Sequence, residues 1–259
     1  MNRFQGKTIA ITGGASGIGR ATAKAAAEEG GAVFIGDQNE EAGHSVIREI
    51  LDSGGKGEFV RLDVTDPGEI ESWLHAASDR GDGLDCLFNN AGINGPLEPL
   101  ENYSLDEFQR VIDINLMGVS YGMRSAIPLM RKNGSGSIVN TGSTASMTGY
   151  ATLSGYVAAK HAVLGLTKAV AREYGSIPIR VNCVCPGPIE TPMMTAIEKG
   201  LNPQNPEEVR TFFADTTAMK RYGKASEIAN MVLFLLSDDS QYVTGGVFAI
   251  DGGATAGLG

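Results

Sequence analysis

Seven short runs rich in β-branched residues, at 8–12, 32–35, 57–62, 84–88, 137–140, 179–184 and 247–250, alternate with segments of helical spacing. The helical segments lie at 18–29, 40–51, 67–77, 105–130, 156–174 and 225–236. The runs are mostly apolar and too far apart for tight hairpins, which calls for parallel pairing through helical crossovers. Right-handed crossovers then place helices on both faces of the sheet. The chain is therefore expected to be an α/β protein, a single doubly wound domain over 1–259 with a seven-stranded parallel sheet. Only 186–217, rich in Pro, Met and Asn, shows neither strand nor clear helix. A loop that long is expected to act as a substrate lid.

Composition narrows the function. The 30 acidic and 21 basic side chains leave a net charge of −9, which repels nucleic-acid phosphates and anionic lipid heads. No apolar stretch of membrane-spanning length occurs and the start lacks a signal-peptide core, so no nucleic acid, no membrane and a cytoplasmic location are expected. Cys86, Cys183 and Cys185 have no zinc-type spacing, and neither a disulfide nor a metal is expected. Glycine is abundant, 35 of 259 residues, about twice the usual ~7%.

Several of those glycines fall where a phosphate would bind. The first run leads into Thr12-Gly13-Gly14-Ala15-Ser16-Gly17-Ile18-Gly19 and then directly into a helix. Gly13 permits a sharp turn, Gly17 close approach of backbone N–H groups to a pyrophosphate, and Gly19 tight helix–strand packing. The helix N-terminus faces the diphosphate charge. Gly13, Ser16, Gly17, Ile18 and Gly19 are thus cofactor-binding candidates in a Rossmann-like fold. Asp37 ends the second run eighteen residues beyond Gly19, where a carboxylate accepts both hydrogen bonds from the adenosine ribose. It repels a 2′-phosphate, and Gln38 and Asn39 offer no cation to neutralise one, so NAD is expected rather than NADP. Asp63, Val64 and Asn90 follow later runs at the carboxyl edge of the sheet, where ligands bind.

Tyr156 and Lys160, four residues apart, project from one helix face. At ~4 Å and an effective dielectric of about 20, an ammonium favours a phenolate by roughly 4 kcal/mol. That is enough to bring a phenol of ordinary pKa ~10 within reach of physiological pH. His161 points about 100° round the helix from Lys160. Cys183 and Cys185 share one strand face as small core residues.

The Gly-rich string, Asn89-Asn90-Ala91-Gly92, Ser143 thirteen residues before Tyr156, Lys160 and Pro186-Gly187 together resemble the short-chain dehydrogenase/reductase family, in order over nearly the whole chain. The resemblance implies that Tyr156 exchanges a proton with the substrate oxygen. Lys160 would lower its pKa and bind the nicotinamide ribose, and Ser143 would hold the substrate hydroxyl or carbonyl. Asn115 would maintain helix geometry and a water leading protons to Lys160. Ile189 and Thr191 would contact the nicotinamide carboxamide, with Glu190 facing solvent. A homotetramer with helices near 105–130 and 153–174 between subunits is implied as well.

Around this site Ile93, Leu97, Met147, Tyr150, Leu153, Pro188, Met193, Met194, Phe212 and Phe213 are nearly all apolar. They suit a cyclic or aryl secondary alcohol or ketone. The NAD preference favours the oxidation direction. Arg210 and Arg221, near the lid, keep open a second reading, a biosynthetic carbonyl or 3-oxoacyl-thioester reductase of the same family. A third reading is an NAD-binding sensor without turnover.

Overall fold

Along β1 (Thr8–Thr12) every residue is buried, but its side chains divide between two cores. Ile9 and Ile11 enter one core and Ala10 the other, as the two-residue period of a strand requires. The computed structural model describes residues 2–257, so Met1, Leu258 and Gly259 of the expected 1–259 span lie outside the described residues.

The other strands are β2 (Ala32–Asp37), β3 (Lys56–Arg61), β4 (Cys86–Asn89), β5 (Gly136–Thr141), β6 (Ile179–Pro186) and β7 (Val247–Ile250). They form one seven-stranded sheet in the order β3-β2-β1-β4-β5-β6-β7, and every pair is parallel. Helices α1 (Gly17–Glu28), α2 (Glu40–Asp52) and α9 (Ala225–Leu236) cover the face that receives Ile9 and Ile11, burying Ala23, Val46 and Val232. Helices α3 (Pro67–Arg80), α5 (Gly118–Asn133) and α6 (Ser154–Tyr174) cover the other face with Trp73, Met123 and Val163. Strand order reverses between β1 and β4, aligned as Ile9↔Cys86 and Ile11↔Phe88, and a crevice opens beyond their carboxyl ends.

Two expectations are corrected. The segment 105–130 is not one helix: α4 (Leu105–Ile112) and α5 are joined by a π-helical turn, Asp113–Met117. One inserted residue per turn there turns Asn115 inward, where it is completely buried. The segment 186–217 is not a loop either. It carries α7 (Pro192–Leu201) and α8 (Pro206–Thr216), each opened by a proline in the first helical turn. Proline is suited there because its missing N–H is one the helix leaves unpaired. Thr191 caps α7 by accepting from the Met194 N–H at 3.4 Å.

The cysteines are all buried and unpaired, and burial pushes the Cys86 thiol up to about 12. Among the described residues, no helix is long and apolar enough to cross a membrane and no group of three or more metal-ligating side chains converges.

Candidate active site

The crevice deepens into a cleft of about 750 Å³ that runs from Asp37 to the helices of 192–216. At its β1 end Gly13 (φ +65°) and Gly17 (φ +51°) take left-handed backbone that glycine adopts without strain. A Cβ on Gly13 would stand 2.8 Å from Ala91 Cα, and one on Gly17 3.2 Å from Thr191 Cγ2. The loop is therefore a narrow bare-backbone cradle between the β4 and β6 sides. Helix α1 begins with no side-chain cap and no acidic residue in its first turn. Its leading N–H groups are thus free for an anion such as a diphosphate.

Asp37 at the end of β2 accepts from the Ala15 N–H and the Asn39 N–H, both at 3.0 Å, one on each carboxylate oxygen. Each oxygen keeps acceptor capacity for a diol such as a ribose. The nearby cations Arg20 and Lys24 are both bonded to Glu49 at 2.7 Å. The donor set thus fits a dinucleotide with a free 2′-hydroxyl. Asn90 ties the two sides of the cradle: its side-chain amide donates to Gly13 O at 2.9 Å, while its N–H donates to Thr12 Oγ1 at 3.0 Å.

In the middle of the cleft, Ser143 follows β5, and Tyr156 and Lys160 lie in the first two turns of α6. Ser143 Oγ accepts from the Ala145 N–H at 3.1 Å, and the Ser143 N–H donates to Ser146 Oγ at 3.1 Å, which fixes the serine at the strand end. Lys160 Nζ donates to Thr141 O at 2.7 Å and lies 5.6 Å from the centre of the Tyr156 ring. Burial pulls the Lys160 ammonium down to about 8. Burial raises the Tyr156 phenol above its ordinary value, and the Ser143 hydroxyl pulls it the other way.

Asn115 spends its amide on one residue. Oδ1 accepts from the Ile93 N–H and Nδ2 donates to Ile93 O, both at 2.8 Å. It fixes the chain after β4 without lining the cleft. Gly92 is needed beside it, because a Cβ there would lie 2.9 Å from Asn115 Oδ1 and 3.6 Å from Lys160 Nζ.

Of the expected cofactor residues, Gly13, Ser16, Gly17, Ile18, Asp37, Val64, Asn90, Ile189 and Thr191 line the cleft with Ser143, Tyr156 and Lys160. Gly19 does not line it: a Cβ there would stand 2.1 Å from Gly13 O, so the glycine serves close packing. Asp63 also stands back, its carboxylate accepting from Thr65 N–H at 2.9 Å and Thr65 O–H at 2.7 Å. Those bonds hold it below the usual carboxylate range, the Thr65 backbone contributing most.

The far end of the cleft is apolar. All the expected substrate-side residues line it except Leu97, which packs near Gly200, and Met147, which is exposed. Arg210 does not enter the cleft. It pairs with Glu190 at 2.7 Å and Glu198 at 3.7 Å, with its guanidinium carbon 4.4 Å from the centre of the Tyr222 ring. Arg221 is likewise held by Glu227 at 2.7 Å. Neither arginine lines the cleft, so neither lends support to a thioester reading. Glu190 is half-exposed, as expected, but ion-paired. His161 is exposed with Nδ1 2.9 Å from Val157 O, outside the cleft.

Thr12 and Thr144 were missed by sequence reasoning. Thr12 ends β1 with a hydroxyl that accepts from both Asn90 and Ala91 N–H groups, and a polar β-branched residue closing an apolar strand was the available signal. Thr144 immediately follows Ser143, and its Oγ1 lies 3.0 Å from the Tyr150 hydroxyl.

A family model described as enoyl-(acyl carrier protein) reductase matches residues 13–255. The chain is 42% identical to the levodione reductase of Leifsonia aquatica over 256 residues, 98% of this chain and 96% of that protein. It is 40% identical to the cyclohexanol dehydrogenase of Acinetobacter sp. (strain SE19), over 98% of this chain and 97% of that protein. A crystal structure of levodione reductase superposes with a TM-score of 0.96 at 41% identity, covering 98% of this chain and 99% of the other. NAD+-bound xylitol dehydrogenase superposes at 0.92 with 32% identity, covering 96% and 99%.

Proposed function

Because the chain belongs to the short-chain dehydrogenase/reductase family, we propose that it transfers a hydride between NAD and a mostly apolar, cyclic secondary alcohol or ketone, working as an alcohol oxidant. The observation that carries this is the placement of Ser143, Tyr156 and Lys160 in one cleft between the Asp37 cradle and an apolar end. A cyclohexanol dehydrogenase among the relatives and an NAD+-bound structural neighbour support the cyclic substrate and the cofactor.

NAD, when bound, supplies the hydride-accepting ring. Asp37 would hold its adenosine ribose, and Gly13, Ser16, Gly17 and Ile18 with the start of α1 would receive the diphosphate. Val64 and Asn90 would add contacts to the cofactor, and Ile189 and Thr191 would hold the carboxamide end. Ser143 holds the substrate oxygen, and the Tyr156 hydroxyl exchanges a proton with it. Lys160, anchored on Thr141 O, holds the nicotinamide ribose and passes the proton on. Asn115 supports this end by fixing Ile93. Gly19 and Asp63 act through packing and loop shape.

Helices α7 and α8 form the lid, closing the apolar end over the ring and excluding water from the hydride path. The assembly is a homotetramer. Light scattering showing a monomer at micromolar concentration would contradict it. The enzyme works in the cytoplasm, which fractionation with an antibody tests.

The experiment for the activity follows NADH formation from a panel of cyclic, aryl and aliphatic secondary alcohols with NAD and, separately, NADP. Turnover with NAD, fastest on cyclic alcohols, is expected. Preference for NADP, or NAD binding without turnover of any alcohol or ketone in the panel, would overturn the reading.

A further inference from the structure

The apolar end of the cleft contains one polar pair with unspent hydrogen-bonding capacity. Tyr150 OH lies 3.0 Å from Thr144 Oγ1, and both residues line the cleft. Two hydroxyls sharing one hydrogen bond consume one donor between them, so the pair keeps exactly one O–H to give, whichever way the shared bond runs. Thr144 is 5% exposed and Tyr150 37% exposed, so the tyrosine is the more accessible member of the pair.

The pair also stands close to the reacting group. Thr144 is the residue after Ser143, and Tyr150 lines the same cleft as Tyr156. Leu153, Met194 and Phe213 in the surrounding wall offer a substrate oxygen no hydrogen bond. A second oxygen on a bound ring would give the remaining O–H of the pair a partner in place of water, which a substrate with a lone hydroxyl does not offer.

Resting on the hydride-transfer reading above, we infer that Tyr150, oriented by Thr144, is a second oxygen-binding point that selects substrates carrying two oxygen functions on one ring: cyclic diols, diones or hydroxyketones. Tyr150 touches the oxygen that does not react, and Thr144 is a positioning residue.

The test compares kcat/KM for cyclohexane-1,4-diol and cyclohexanol with NAD in the wild type, Tyr150→Phe, Thr144→Val and Thr144→Ser. The wild type is expected to favour the diol by about tenfold, the net effect of one hydrogen bond. Tyr150→Phe is expected to lower that ratio about tenfold, mainly through KM of the diol. Thr144→Val should lower it less, and Thr144→Ser, which keeps the hydroxyl, should restore it. A parallel loss on both substrates in Tyr150→Phe would make the pair a structural tie and overturn the inference. So would a wild type that does not favour the diol. Absence of turnover on either substrate in the wild type would instead sink the hydride-transfer reading, and this inference with it.

Discussion

Lys160 reaches past Tyr156 to the strand end: its ammonium donates to Thr141 O at 2.7 Å and stands 5.6 Å from the centre of the tyrosine ring. The helix spacing brings the two side chains to one face, but the lysine is long enough to be captured by a carbonyl that β5 leaves unpaired at its end. Its cost is desolvation, which pulls the ammonium down to about 8.

That depression has a consequence for stability. Between about pH 8 and 10.5 the native state has released the Lys160 proton while the unfolded chain still holds it, so unfolding takes up a proton. Stability contributed by this group is therefore present above the unfolded pKa and lost as pH falls through the folded one. Denaturant unfolding of the wild type and Lys160→Met is expected to show the difference between them moving in favour of the wild type across that window, by on the order of 3 kcal/mol. A pH-independent difference would contradict the burial of a titrating ammonium.

Asp37 holds the Gly-rich loop by accepting from the Ala15 N–H at 3.0 Å, and on the reading proposed above the same carboxylate repels a ribose 2′-phosphate. Asp37→Asn keeps its shape but removes the charge and halves the acceptors. KM for NAD is expected to rise about tenfold, the loss of one charge-assisted hydrogen bond, while the ratio of NADP to NAD kcat/KM rises. An unchanged ratio would remove Asp37 from cofactor choice.

Arg210 joins three pieces of the apolar end: Glu190 after β6, Glu198 on α7 and the Tyr222 ring. The half-exposed pair with Glu190 contributes about 0–1 kcal/mol, whereas Glu198 and the Tyr222 ring are buried, and a cation over a desolvated ring contributes about 2 kcal/mol. Arg210→Met is therefore expected to raise KM for the alcohol severalfold, with a smaller change in kcat, by loosening α8. High salt should raise KM more in the wild type than in the variant. Equal salt responses would show that the lid does not depend on these pairs.

Much of this architecture was legible in the chain because parallel strands and their covering helices write their burial directly into the sequence. The run at 247–250 and the helix at 225–236 coincide with β7 and α9. The break at Asp113–Met117 was hidden, since a π turn changes which residue faces inward without changing composition. Only the polar Asn115 between the apolar Ile114 and Leu116 marked it. The lid helices were hidden for another reason: Pro, Met and Asn look like loop residues, although Thr191-Pro192 and Asn205-Pro206-Glu207-Glu208 form a cap, an N-terminal proline and first-turn acids. Tyr156 and Lys160 were readable as a pair by spacing, and Ser143 only through the family resemblance. Which atoms Lys160 and Asn115 engage was not, because it depends on where β5 ends and how the chain returns after β4.

The central claim is that the Tyr156 hydroxyl exchanges the proton of the substrate oxygen, and Tyr156→Phe, assayed for both alcohol oxidation and NAD binding, tests it most directly. Removal of a general acid–base group costs about 10²–10⁴-fold in kcat, with NAD affinity retained because the Asp37 cradle is untouched. A Tyr156→Phe enzyme that binds NAD normally and keeps near wild-type kcat would contradict the account.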